Sequence, residues 1–189
     1  MEVIAREIYR NSVDGAIAEC GVYRAGFAKW MSVMFPERKF YLFDTFKGFD
    51  VRDVSNPVEN LTSDFWQRWN YAENSSEMAL VNIPYRTNTV VREGYFPETT
   101  VGLEDERFAF VSLDTDLYKP IYEGLKFFYP RLNPGGIIFV HDLGNPGLQG
   151  VSKAVMQFCR EQHVGYSVIP SYSLDGGCDA RSAVLTKPY

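Results

Sequence analysis

This chain has few of the features that announce a specialised environment. It carries three cysteines in 189 residues, Cys20, Cys159 and Cys178. None are paired at CxxC spacing and the count is odd, which argues against a disulfide framework or a zinc knuckle. A reducing, cytoplasmic setting is the matching expectation, and Cys20 reads as a small buried hydrophobe. No apolar run approaches the roughly 20 residues needed to span a bilayer. The opening MEVIAREIYRNS mixes charges among its apolar residues and reads as an amphipathic helix, not a secretory signal. Basic charge is not in excess either: the net charge is −5, which argues against nucleic acid and against an anionic membrane as partner. There is no GxGxxG, so a dinucleotide oxidoreductase is disfavoured. Internal repeats and low-complexity tracts are also missing. What is present is 46% hydrophobic residues, enough for one domain over residues 1–189 with a full core.

Those apolar residues are arranged in short runs that alternate with helical patterns. Ala16–Val22, Phe40–Phe43, the neighbourhood of Val90–Val91, Phe108–Leu113 and Ile137–Val140 read as five strands. Gly26–Phe35, Tyr118–Leu132 and Val151–Gln162 read as helices, the first stopped by Pro36 and the second by Pro134–Gly136. Strand–helix alternation predicts an α/β doubly wound, mainly parallel sheet. Tyr166–Ile169 and Ala183–Thr186 add a C-terminal antiparallel hairpin and bring the strand count to seven, with Leu174–Arg181 as the connection. Residues 50–82 break the rhythm. This stretch is polar yet carries Phe65, Trp66, Trp69 and Tyr71, and reads either as a lid or substrate loop or as an extra helix on the sheet.

The chemistry concentrates where apolar runs end. FAFVSLDTD runs straight into Asp114 and Asp116, and Ile137–Val140 runs into His141 and Asp142. Buried parallel strands look like this, and open α/β sheets bind ligands at such carboxyl ends. Neighbouring strands lie about 4.8 Å apart, so the two tips are expected to build one site. In an extended segment Asp114 and Asp116 point the same way. The expected metal ligands are Asp114, His141 and Asp142, with Asp116 as the catalytic base. His141 is also open as the base, because imidazole titrates nearest neutrality, or as a residue that only bonds a carbonyl. Adjacent strand residues face opposite ways, so His141 and Asp142 share a site only if the strand has ended.

A second set of residues lies after the first three strands. Glu19, Gly21, Tyr23, Arg24 and Gly26 form a Glu-x-Gly turn into a helix. There Gly21 would let the backbone approach a ligand, and Arg24 would meet a carboxylate or remain solvated. Asp44, followed by Thr45, ends strand two and can accept ribose hydroxyls or cap a helix. Gly94, within Arg92–Phe96, offers a wall for the adenine or methionine end. Together with Asp114, these look like an S-adenosylmethionine site.

The segments AECGVYRAGFAKWM, KFYLFDTFKGF, VREGYFPETT, FVSLDTDLYKPIYEGLKFFYPRLNPGGIIFVHD and GVSKAVMQF occur in this order. Over about Ala16 to Phe158 the chain resembles the macrocin O-methyltransferase family, which methylates sugar hydroxyls on natural products. The resemblance implies a class I methyltransferase (Rossmann-like) fold, S-adenosylmethionine as donor, and a divalent cation, usually magnesium, held by carboxylates. His141 stands where the family commonly has Asp, a change expected to weaken magnesium relative to softer metals such as manganese. The chain begins one helix before strand one, so residues 50–82 or the second subunit of a homodimer are expected to cover the small-molecule hydroxyl acceptor. The alternative is a non-catalytic S-adenosylmethionine-binding module with a degraded metal site.

Overall fold

A computed structural model describes residues 2–59, 71–170 and 181–189. Its centre is a seven-stranded sheet in the order β3-β2-β1-β4-β5-β7-β6. The strands are β1 (Ala16–Cys20), β2 (Phe40–Asp44), β3 (Thr89–Glu93), β4 (Phe108–Leu113), β5 (Leu132–Leu143), β6 (Ser167–Pro170) and β7 (Arg181–Thr186). The first five pair in parallel, and β7 runs antiparallel to both β5 and β6. The fold class is the expected one. The Leu174–Arg181 connection lies outside the described residues except for Arg181, which opens β7.

Sequence explains why the central strands sit inside. β1 and β4 are buried at every position, as a strand covered on both faces requires. One face packs Ala18, Val111 and Val140 against α5 (Tyr118–Phe128) and α6 (Gln149–Gln162). The other packs Ile17, Leu42 and Phe110 against α1 (Glu2–Arg10), α2 (Ala28–Met34) and α4 (Ser76–Val81). Cys20 is fully buried and free, in line with its reading as a small hydrophobe. No described helix is long and apolar enough to cross a membrane.

Most elements shift by a residue or two from the sequence reading, and two boundaries differ by more. The helix after β4 ends at Phe128 and passes through a short 3-10 turn, Tyr129–Arg131, because Pro130 cannot continue the α-helical ladder. β5 begins at Leu132 and does not stop at Val140; it runs to Leu143 with a register shift between Val140 and Leu143. Within 50–82 the described residues hold two short helices, α3 (Val51–Val54) and α4. Phe65, Trp66 and Trp69 lie outside the described residues.

Candidate active site

The strand order reverses between β1 and β4, the position where doubly wound sheets bind ligands. A cleft of about 320 Å³ opens there, across the carboxyl ends of β3, β2, β1, β4 and β5. Of the residues expected to act, Glu19, Gly21, Tyr23, Gly26, Asp44, Thr45, Gly94, Asp114, Asp116 and Asp142 line it. Arg24 and His141 do not. Arg24 is exposed and donates to the Glu73 carbonyl at 2.9 Å.

The floor of the cleft is the turn after β1. Gly21 has φ 84°, and a Cβ there would lie 2.1 Å from the Asp114 carbonyl oxygen. The glycine is therefore demanded first by the close approach of β1 to β4, secured by Asp114 N–H donating to the Cys20 carbonyl at 2.8 Å. Asp44 fixes the same turn. Its Oδ2 accepts from the N–H groups of Val22 and Tyr23 at 2.7 and 2.8 Å, and its Oδ1 from that of Phe46 at 2.7 Å. A carboxylate offers about four acceptor positions, so Asp44 can still meet a ligand, but its first task is to set the turn. Thr45 Oγ1 donates to the Gly48 carbonyl at 2.6 Å. Glu19 is 1% exposed. Burial, with Asp114 and Asp44 adding to it, holds its carboxyl well above the usual range, opposed by the Ala28 N–H. Glu19 Oε2 and Thr115 Oγ1, both from cleft-lining residues, have no hydrogen-bond partner among the described residues.

The far end is acidic. Asp114, Asp116 and Asp142 bring one oxygen each to within 4.8 Å of one another. Burial raises the Asp114 carboxyl, and Asp142 adds to the effect against His141. Asp116 is pushed up well above the carboxylate range by burial, by Asp114 and Asp142, and by a hydrogen bond with Asp142. Three like charges this close do not all ionise unaided. Two of these residues reach the cleft through left-handed backbone, Asp116 at φ 61° and Asp142 at φ 56°. The extended i, i+2 geometry expected for Asp114 and Asp116 is thus replaced by a turn that gives the same convergence.

His141 does not join the group expected of it, and the irregularity in β5 is the reason. The strand does not end before His141 and Asp142. It is distorted, so the two consecutive side chains diverge. Asp142 turns to Asp116, while His141 Nε2 lies 3.1 Å from Ser112 Oγ. The imidazole ring packs edge-on to Phe27 and Phe139, with centroids 4.6 and 4.9 Å away. Asp116 supplies the third oxygen in its place.

Sequence reasoning passed over one side of the cleft. Asp53, from α3, lines it and is 5% exposed. Its Oδ1 accepts from the Tyr95 hydroxyl at 2.7 Å. Tyr71 also lines the cleft, packed edge-on to Tyr23 and Phe49. Tyr71 is one of the aromatic residues that mark the polar stretch 50–82 in the sequence. Asp53 gave no such signal, being one of several acids in that stretch.

A sheet of this order, with β7 antiparallel and a ligand cleft at the reversal, defines the class I methyltransferase fold. NovP, an O-methyltransferase, superposes with a TM-score of 0.77 at 19% identity, covering 100% of this chain and 78% of that one. CalS11, a calicheamicin methyltransferase, gives 0.71 at 23% identity, over 98% and 76%. The macrocin-O-methyltransferase (TylF) family profile matches residues 1–170, and the chain belongs to that family. Mycinamicin III 3''-O-methyltransferase of Micromonospora griseorubida is 28% identical over 178 residues, 82% of this chain and 63% of its own length. The 8-demethyl-8-(2,3-dimethoxy-alpha-L-rhamnosyl)-tetracenomycin-C 4'-O-methyltransferase of Streptomyces olivaceus is 25% identical over 158 residues, 75% of this chain and 58% of its own. The chain thus spans about three-fifths of the length of these two relatives.

Proposed function

We propose that this chain is an S-adenosylmethionine-dependent O-methyltransferase, assisted by a divalent cation, acting on a hydroxyl of a sugar or other small natural product. The observation that carries this reading is the convergence of Asp114, Asp116 and Asp142 on the cleft that Glu19 and Thr115 also line. The donor set fits a hard cation, because all three groups are carboxylates, which suit magnesium or manganese. The cleft fits the methyl donor, because Glu19 Oε2 and Thr115 Oγ1 are buried polar atoms that call for partners. Two relatives named for O-methylation, one of them of a rhamnosyl compound, support the acceptor class.

S-adenosylmethionine, when bound, supplies an electrophilic methyl group and a neutral leaving group. The chain's task is alignment, worth about 7–11 kcal/mol when complete, and management of the acceptor proton. Glu19, Gly21, Tyr23 and Gly26 would hold the amino-acid part, Asp44 and Thr45 would meet the ribose, and Gly94 would begin the wall around the base. Asp114, Asp116 and Asp142 would hold the cation, which would supply positive charge to stabilise a developing alkoxide. Asp116 takes the acceptor proton on a side-chain oxygen. His141 is assigned a supporting role, bonded to Ser112 behind the cleft. The flanks of residues 50–82 cover the acceptor side.

A non-catalytic module rested on His141 having broken the metal set, and the carboxylate trio is complete without it. Calorimetry with S-adenosylhomocysteine, followed by anomalous scattering from manganese-soaked crystals, tests the reading. Binding and a manganese peak between Asp114 and Asp142 are expected. No binding at millimolar ligand would end it.

A further inference from the structure

The two loops that carry the carboxylate trio both feed into helices. Asp114 and Asp116 precede α5, which opens at Tyr118, and Asp142 precedes α6, which opens at Gln149. Neither helix start is capped locally. The N-cap residues, Leu117 and Leu148, make no side-chain cap hydrogen bond, and neither first turn carries an acid. Helix amino ends carry unpaired N–H groups and favour negative charge.

Glu59 meets both ends at once. Its Oε1 accepts from the Tyr118 N–H in the first turn of α5. Its Oε2 lies against Gly150 in the first turn of α6, where a Cβ would stand 2.2 Å from that oxygen and 2.9 Å from the Tyr118 nitrogen. Glu59 is 2% exposed, and its Oε2 has no hydrogen-bond partner among the described residues. The segment that delivers it is anchored to α6 as well, since Lys153 Nζ donates to the Val58 carbonyl at 3.0 Å. Both helix starts are in turn joined to the trio. Tyr118 follows closely on Asp116. Ser152 Oγ of α6 accepts from the Gly144 N–H at 2.8 Å, and Asn145 Nδ2 donates to Asp142 Oδ1 at 3.1 Å. A shift of either helix start therefore moves a carboxylate of the trio.

Resting on the reading that the trio holds a divalent cation, we propose that Glu59 is a positioning residue for that site. Set between the starts of α5 and α6, it fixes the spacing of the Asp116 and Asp142 loops. Groups that hold metal ligands in place typically govern about ten- to a hundredfold of metal affinity.

Manganese titration of the full chain, read by water-proton relaxation, tests this, with S-adenosylhomocysteine calorimetry on the same samples. Glu59→Gln keeps an acceptor for Tyr118 and should bind manganese within about threefold of wild type. Glu59→Leu removes the acceptor and should weaken manganese about tenfold or more. S-adenosylhomocysteine should still bind it within about threefold, because Asp44 holds the turn after β1. Gly150→Ala suits a helix but drives its Cβ against Glu59 Oε2, and should have the same effect as Glu59→Leu. A Glu59→Leu or Gly150→Ala chain that keeps wild-type manganese affinity overturns the proposal, and so does a Glu59→Gln chain as weak as Glu59→Leu. Parallel loss of both ligands in Glu59→Leu and Gly150→Ala overturns it too, since Glu59 would then support the whole fold. A wild-type chain that binds S-adenosylhomocysteine but no manganese overturns the cation reading itself.

Discussion

Glu59 offers a test of how residues 50–59 are tied to the site. The helix α5 starts at Tyr118, two residues after Asp116, and its N-cap, Leu117, makes no side-chain cap hydrogen bond. The missing acceptor comes from far away: Glu59 Oε1 accepts from the Tyr118 N–H, and the Lys119 N–H also bonds this carboxylate. Gly150 makes room for it, since a Cβ there would sit 2.2 Å from Glu59 Oε2. Burial pushes the Glu59 carboxyl from 4.5 up to about 7, with Asp53 adding and the Tyr118 N–H and Lys153 opposing. An acid whose folded pKa lies above its unfolded one holds its proton more tightly when folded. The folded state therefore loses stability as pH rises from 4.5 to about 7. At about 1.4 kcal/mol per pH unit, reduced for screening near Lys153, the loss is about 2–3 kcal/mol. Urea unfolding at intervals from pH 5 to 8 reads it as a change in midpoint at constant slope. Glu19, Asp53, Asp114 and Asp116 are raised too, so the comparison must be with Glu59→Gln, which shares them and keeps an acceptor for Tyr118. The wild-type chain should lose about 2–3 kcal/mol relative to this variant between pH 5 and pH 8. Parallel curves would refute the reasoning.

Gly21→Ala should abolish S-adenosylhomocysteine binding and lower the melting temperature, because its Cβ would meet the Asp114 carbonyl at 2.1 Å in a left-handed backbone; calorimetry and thermal melts check both. Asp44→Ala orphans the N–H groups of Val22, Tyr23 and Phe46. It should cost about 2–4 kcal/mol of stability as well as cofactor affinity; loss of affinity with an unchanged melting temperature would mean that Asp44 serves the ribose alone. Asp142→Asn should weaken manganese binding about tenfold or more, while His141→Asn leaves it within about threefold, since the imidazole lies outside the carboxylate group. A reversed ranking in a manganese titration would restore His141 as a ligand.

Much of the fold was legible because its signals are local. The runs at Phe108–Leu113 and Phe40–Phe43 are apolar except at Ser112 and buried at every position, and a strand covered on both faces needs little else to be recognised. Their endings in Asp114 and Asp44, together with the ordered family segments, pointed to the cleft and to ten of the residues that line it. The detail within the cleft was less accessible. Asp44 pairs with Val22, 22 residues away, Tyr95 with Asp53 across 42, and Glu59 with Tyr118 across 59. Such partnerships depend on where distant segments land.

The amino-acid order thus dictated a doubly wound sheet with acids at its tips, because burial on two faces and the stop signals after each strand are properties of short segments. Packing decided which acids meet. Left-handed backbone at Asp116 and Asp142 and the distortion of β5 brought in Asp116 and turned His141 away. Non-glycine residues adopt that conformation only where surrounding contacts hold them, so no local pattern encodes it.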